Sequence, residues 1–127
     1  MDKHILIIDD EATIRELLTT ILSEEGYTVT DLEQVAGIEQ VTAIKPDLVI
    51  LDLKMPKVGG AELSRLLKNS PLTKAIPVLV LSATSNIDTQ TVMADAFVAK
   101  PFNIDELLEQ VTKLLEPAPL PLLLVTI

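Results

Sequence analysis

Four short apolar runs of this sequence end in side chains that could do chemistry. Asp9 and Asp10 follow the run ILII, Asp52 follows LVIL, Ser82 follows VLVL, and Lys100 follows AFVA. Three carboxylates brought to one place repel one another, and a hard divalent cation such as Mg²⁺ relieves that repulsion. With a hydroxyl and an ammonium group nearby, such a site suits transfer of a phosphoryl group to a carboxylate, in which positioning and charge neutralisation provide the catalysis.

The apolar runs themselves predict the strands of a parallel sheet. The run from Leu48 to Asp52 is almost continuously apolar, which is typical of a strand buried on both faces. Pro56 and Gly59–Gly60 then predict a loop. Because strands alternate with helical segments five times, we expect a doubly wound α/β fold with five parallel strands and right-handed crossovers. Ligands of such sheets bind at the carboxyl ends of the strands, where the four functional positions lie.

Apolar residues at spacings of three and four predict the helices between these strands. The predicted helices cover residues 12–25, 35–44, 61–69 and 103–116. Leu17, Leu66 and Ile104 are expected on the buried faces of their helices. Gly26 is expected to end the first helix, and Asn103 is expected to cap the last one.

The composition limits the class of protein. The 127 residues, 48% of them hydrophobic, are enough for one domain with a substantial core. Nineteen acidic against 10 basic residues give a net charge of −9, which argues against nucleic-acid binding because phosphate backbones attract basic patches. The lack of Cys and the single His argue against disulfides, Cys-zinc sites and Ser-His-Asp triads. No signal peptide or membrane span is recognisable, so we expect a cytoplasmic domain with no membrane contact.

Four motifs, in this order, resemble the receiver domain of the response-regulator family, the phosphoacceptor half of two-component signalling. They are IIDDE (7–11), LDLKMP (51–56), LSA (81–83) and KPF (100–102). The resemblance covers about residues 3–116. It implies a CheY-like, flavodoxin-like sheet of order 2-1-3-4-5 with helices on both faces. It also divides the chain into a receiver domain, 1–116, and a Pro-rich apolar tail or linker, 117–127.

The same resemblance assigns the phosphorylation and metal roles. It implies that Asp52 is the phosphorylated residue. It also implies that Mg²⁺ or Mn²⁺ is held by Asp9, Asp10, Asp52 and the backbone carbonyl of Lys54. The phosphoryl donor would be a phosphohistidine of a histidine kinase or phosphotransfer protein.

Three further residues would bind the phosphoryl group or respond to it. The resemblance implies that Ser82 and Lys100 bind it, and that Ser82 and Phe97 form the switch that changes the surface around the fourth helix, fifth strand and last helix. That surface would control a downstream protein or an output domain missing from this chain. Whether the domain forms a homodimer stays open. Apart from catalysing its own phosphorylation and slow dephosphorylation, the domain is not expected to be an enzyme.

Two other functions remain open at this stage. One is a true phosphotransferase or phosphohydrolase with an aspartyl nucleophile. Such enzymes usually place a second acid two residues after the nucleophile, where this chain has Lys54, which counts against that function. The other is a degenerate receiver that binds proteins independently of phosphorylation. The complete set of acidic, hydroxyl and lysine residues argues against it.

Two segments depart from the family pattern. Seventeen residues separate Ser82 from Lys100, about one helical turn fewer than the family usually carries, so we expect a short or irregular fourth helix. The tail PAPLPLLLVTI after Glu116 contains three prolines and then an uncharged, β-prone run. It could be a linker to another domain, a segment that packs on this domain or exchanges with a second copy, or a cloning or frame artefact.

Overall fold

The structure is a computed structural model and describes residues 3–53, 59–83 and 93–116. In these ranges a parallel sheet of order β2-β1-β3-β4-β5 is covered by helices. The strands are β1 (His4–Ile8), β2 (Thr28–Leu32), β3 (Leu48–Asp52), β4 (Val78–Ser82) and β5 (Ala96–Ala99). The helices are α1 (Ala12–Glu24), α2 (Ile38–Ile44), α3 (Gly60–Asn69) and α4 (Ile104–Leu115). The predicted fold class and strand order are confirmed.

Some sequence predictions fall outside the described residues. They concern Lys54, most of the segment between β4 and β5, where a short or irregular helix was expected, and the tail 117–127. Residues 93–95 of that segment are described, and they are not helical. Among the described helices, none combines the length and the apolar character needed to cross a membrane.

Two apolar layers bury the sheet on both faces, which explains why its central strands read as continuous apolar runs. Every residue of β3 and β4 is buried. On one face, Leu18 of α1 and Leu107 of α4 belong to a core cluster with alternate strand residues such as Ile7. On the other face, Val41 of α2 and Leu63 of α3 form a second cluster.

The helical periodicity overestimated how far the buried faces extend. Leu17, Leu66 and Ile104 were predicted to be buried, but their exposed fractions are 42%, 46% and 46%. The sheet therefore covers a narrower stripe of each helix than the apolar residues span. In addition, α2 begins at Ile38 rather than at residue 35, since Gly37 precedes its first turn.

Both predicted helix ends are confirmed. After α1, Gly26 has a φ of 95°, its N–H bonds the Ser23 carbonyl at 3.0 Å, and the Tyr27 N–H bonds the Leu22 carbonyl at 3.2 Å. This double closure favours glycine, because other residues are strained at positive φ. At the start of α4, the side chain of Asn103 accepts hydrogen bonds from two backbone N–H groups of the first turn.

Polar contacts attach the start of β5 to its surroundings. The Asp95 N–H bonds the Val78 carbonyl at 2.8 Å, and the Asp95 carboxylate accepts the Val78 N–H at 2.8 Å. Lys68 of α3 donates to the same carboxylate at 2.9 Å and to the Ile76 carbonyl at 3.1 Å. The beginning of this edge strand is therefore held by both β4 and α3.

Gly60 allows α3 to begin directly against the end of β3. Its N–H bonds the Leu53 carbonyl at 2.9 Å. A Cβ atom at this position would lie 2.6 Å from the Leu53 Cα and 2.8 Å from its carbonyl oxygen, and closer still to the carbonyl oxygen of Asp52. These are backbone atoms that no side-chain rotation can move away. At Gly59, by contrast, an added Cβ would meet nothing within 4 Å.

We therefore expect Gly60→Ala to lower the free energy of unfolding by about 2 kcal/mol, as overpacking of a rigid contact does. Gly59→Ala, the matched control, should change it by no more than about 0.5 kcal/mol, because reduced freedom of the unfolded chain offsets a weaker helix start. Urea unfolding followed by far-ultraviolet circular dichroism measures both. Equal stability of the two variants would contradict this account of the β3–α3 junction.

Candidate functional site

Two buried aspartates lie at the carboxyl edge of neighbouring strands. Asp52 is the last residue of β3, and Asp9 directly follows β1, so the parallel pairing of the two strands brings both to one edge. Asp9 is fully buried and Asp52 nearly so. The Asp9 N–H bonds the Leu32 carbonyl at 3.1 Å, and its carboxylate accepts the Glu11 N–H at 2.8 Å. Asp9 therefore has a defined orientation.

Asp10 and Glu11 complete a cluster of four acids. Each of Asp9, Asp10, Glu11 and Asp52 offers one carboxylate oxygen, and these oxygens all lie within 4.8 Å of one another. Octahedral Mg²⁺ holds its oxygen ligands at about 2.1 Å, so ligands on opposite sides are roughly 4.2 Å apart. The donor set of carboxylate oxygens therefore suits Mg²⁺, although the limit of 4.8 Å is slightly wider than the octahedron around that ion.

Lys100 lies between the two buried carboxylates. Its Nζ is 3.4 Å from an oxygen of Asp9, 3.4 Å from an oxygen of Asp52, and 4.0 Å from Glu11. The side chain is 15% exposed. Its backbone N–H bonds the Ser82 carbonyl at 2.7 Å, which attaches the residue after β5 to the end of β4, and its peptide bond to Pro101 is cis.

The electrostatic environment keeps Lys100 charged. Burial lowers the pKa of its ammonium group, but the charges of Asp9 and Asp52, with hydrogen bonds to both carboxylates, outweigh burial and raise the pKa from its ordinary value of 10.5. Among the described residues, the site thus contains one lysine charge beside four acidic side chains, so a further cation can still be attracted.

Ser82 and Phe97 were also predicted as site residues. Ser82 is the last residue of β4, is buried, and pairs with Ala99 of β5. It lies at the same edge as Asp52. Phe97 pairs with Val80 in the middle of the β4–β5 ladder and is half-buried against the cluster that α2 and α3 cover. It therefore lies outside the acidic cluster, three residues before Lys100 in the sequence.

Sequence reasoning missed two features of this edge. It gave no role to Glu11, although this acid stands in the same DDE run. It also missed Arg15 of α1, whose guanidinium bonds the Asp9 carbonyl at 2.7 Å and the Asp31 carboxylate at 3.2 Å. No spacing in the sequence pointed to these contacts, because Asp31 reaches Arg15 only through the pairing of β2 with β1.

Comparison with known proteins finds sequence similarity over most of the chain. The family profile described as the response regulator receiver domain matches residues 5–112. The phosphate regulon transcriptional regulatory protein PhoB of Pseudomonas aeruginosa is 38% identical over 89% of this chain and 52% of its own length. The chain thus spans about half the length of that regulator. Sporulation initiation phosphotransferase F of Bacillus subtilis is 35% identical over 91% of this chain and 95% of its own length.

Solved structures show the same similarity. The response regulator protein TrrA of Thermotoga maritima, crystallised in complex with Mg(2+)-BeF, is 39% identical. The match covers 88% of this chain and 98% of the TrrA chain, with a TM-score of 0.73.

Replacing Lys100 should reveal how strongly it compensates the buried acids. We expect Lys100→Met to lower the free energy of unfolding by about 2 kcal/mol in the presence of a chelator, because Asp9 and Asp52 lose their buried partner. In millimolar Mg²⁺ the loss should be smaller, since the cation supplies positive charge to the same carboxylates. Urea unfolding in both conditions measures the difference.

Lys113→Met is the matched control. It removes a lysine whose ion pair with Glu109 is exposed on α4, so the loss should be no more than about 0.5 kcal/mol with or without Mg²⁺. If Lys100→Met were as mild as this control, or if its cost did not depend on Mg²⁺, the compensating role of Lys100 would be refuted.

Proposed function

Because the chain belongs to the response regulator receiver family, whose domains are signalling modules, we propose that it accepts a phosphoryl group on Asp52. The donor is a phosphohistidine of a separate histidine kinase or phosphotransfer protein. In the transfer, a carboxylate oxygen of Asp52 forms a bond to phosphorus while the bond from phosphorus to the histidine nitrogen breaks. The imidazole leaves with the electron pair of that bond.

One observation carries this proposal. The nearly buried carboxylate of Asp52 lies 3.4 Å from the ammonium group of Lys100, within a cluster of four carboxylate oxygens that fits Mg²⁺. A nucleophilic oxygen, a fixed positive charge and a cation site are the parts that phosphoryl transfer to a carboxylate requires.

The metal ligands in this proposal are Asp9, Asp10, Asp52 and the backbone carbonyl of Lys54, the last of which lies outside the described residues. When bound, Mg²⁺ or Mn²⁺ supplies positive charge to the phosphoryl oxygens and to the surrounding carboxylates. The complex of TrrA with Mg(2+)-BeF, at 39% identity, supports the assignment.

Lys100 and Ser82 recognise the transferred group. Lys100 bonds two carboxylates before transfer, and the phosphoryl group offers it oxygens that carry more charge. The buried hydroxyl of Ser82 donates a hydrogen bond to another phosphoryl oxygen. In the proposed switch, these new contacts draw inward the loop after Ser82, most of which lies outside the described residues.

Phe97 transmits the change in this proposal. As the loop moves, the ring turns into the space that opens, and the surface formed by the segment before β5, by β5 itself and by α4 changes. A downstream protein or an output domain distinguishes the two surfaces. PhoB, of which the chain spans about half the length, supports a control function of this kind. A kinase-dependent switch of this kind acts in the cytoplasm.

Incubation with Mg²⁺ and acetyl phosphate should produce a single phosphoryl adduct, detected by intact mass. The adduct should be lost in Asp52→Asn and in chelator, because the nucleophile or the cation is then missing. Asp105→Asn removes an acid from an exposed position of α4 and should retain the adduct. Folded protein without an adduct would contradict the proposal and favour the phosphorylation-independent binding module. An adduct that persists in Asp52→Asn would contradict the assignment of Asp52 as the phosphorylated residue.

The role of Phe97 can be separated from phosphorylation itself. With Mg²⁺ and beryllofluoride, amide hydrogen exchange should change in residues 81–83 and 93–100 of the unaltered protein. Phe97→Ala should still be phosphorylated, but the exchange change in 93–100 should be largely lost, because the ring no longer couples the site to β5. Phe102→Ala, which truncates the other Phe on the opposite face of the sheet, should keep that change. An unaltered exchange response in Phe97→Ala would exclude it as the switch.

A further inference from the structure

Arg15 connects three elements at the acidic edge of the sheet. It lies in the first turn of α1, with its backbone N–H bonded to the Glu11 carbonyl at 3.1 Å. Its Nη1 donates to the backbone carbonyl of Asp9 at 2.7 Å, and its Nε donates to the carboxylate of Asp31 in β2 at 3.2 Å. Arg15 is 18% exposed and Asp31 43%.

The carbonyl that Arg15 holds belongs to the peptide group between Asp9 and Asp10. That group is planar, so fixing its oxygen also fixes the orientation in which the chain enters Asp10. The side chain of Asp9 is fixed separately, by the Glu11 N–H and by Lys100. These two contacts do not fix the peptide group that leads into Asp10. Arg15 holds that peptide group, and so it sets the direction in which the side chain of Asp10 leaves the backbone.

Asp31 determines whether this control is compatible with binding a cation. A guanidinium group close to four carboxylates would by itself oppose a second positive charge. Paired with Asp31, Arg15 adds no net charge to this edge of the sheet. The pair can thus hold the backbone while the acidic cluster keeps its attraction for Mg²⁺.

We propose that Arg15 is a positioning residue for the cation site and that Asp31 neutralises its charge, so that the pair presents Asp10 to the metal. This inference rests on the proposed function, since it assumes that the acidic cluster binds Mg²⁺ or Mn²⁺. It differs from a purely electrostatic account in the sign of its prediction. Removing the charge of Arg15 alone should strengthen cation binding if only charge matters, and weaken it if positioning dominates.

The decisive variant is Arg15→Met/Asp31→Asn, which removes the bridge without changing the net charge. Its affinity for Mn²⁺, measured by electron paramagnetic resonance of the free ion and by competition with Mg²⁺, should fall about tenfold, as loss of a group that orients a metal ligand does. Arg15→Met alone should also bind more weakly. Asp31→Asn alone should also weaken Mn²⁺ binding, because the charge of Arg15 is then uncompensated and repels the ion. High salt should reduce this effect, since it screens the repulsion.

The control is Arg65→Met/Glu62→Gln, which makes the same change of charge on exposed residues of α3 and should bind Mn²⁺ as the unaltered protein does. Phosphorylation by acetyl phosphate provides a second readout. In Arg15→Met/Asp31→Asn the Mg²⁺ concentration for half-maximal rate should rise about tenfold, while the rate at saturating Mg²⁺ stays close to normal, a split that general destabilisation would not produce.

The outcomes separate the two hypotheses. If the unaltered protein binds Mn²⁺ and Arg15→Met/Asp31→Asn binds it equally well, the positioning role is overturned and the proposed function stands. Tighter binding by Arg15→Met would overturn the role in favour of charge alone. If the unaltered protein binds neither Mn²⁺ nor Mg²⁺, both the cation-dependent function and this inference fail.

Discussion

The contact between Lys100 and two buried carboxylates is the interaction on which the rest of the site depends. Each attraction at 3.4 Å amounts to about 5 kcal/mol at an effective dielectric constant of about 20, while burying each ion costs several kcal/mol. One lysine that serves Asp9 and Asp52 together gains two attractions for a single desolvated ammonium group. The parallel register of β1 with β3, and of β4 with β5, brings these groups to one edge, so the site depends on the whole sheet.

Within the described part of the chain, this compensation is incomplete in charge, because one lysine faces four acids. A fully neutral site would have little attraction for a divalent cation, and a site without Lys100 would hold buried acids that strongly disfavour the folded state. The arrangement thus compensates the buried acids and leaves negative charge that could attract a cation. Arg15 is compensated in a similar way nearby, since its pairing with Asp31 lets a cationic side chain hold the backbone without adding net charge to the acidic edge.

The sequence predicted those parts of the fold that depend on local composition. Buried strands such as β3 are apolar on both faces, and a carboxylate at the end of such a run is conspicuous. Asp52 could therefore be predicted as a site residue from the sequence. The exposure of Leu17 could not be predicted from the sequence, because periodicity locates an apolar stripe but does not indicate how much of it the sheet covers. The bridge from Arg15 to Asp31 depends on how β2 lies beside β1, and only the strand register places these side chains together.

The edge strand β5 is attached differently at its two ends, which suits it to carry a signal. At its start, Asp95 is bonded to Val78 and to Lys68, contacts that involve no group of the acidic cluster. At its end, Lys100 is bonded to Asp9 and to Asp52, the carboxylate whose charge phosphorylation would change in the proposed function. A change in the partners of Lys100 therefore acts on one end of a strand whose other end stays attached to α3. Phe97 lies between the two ends, in the part of the strand where the proposed switch places the resulting change.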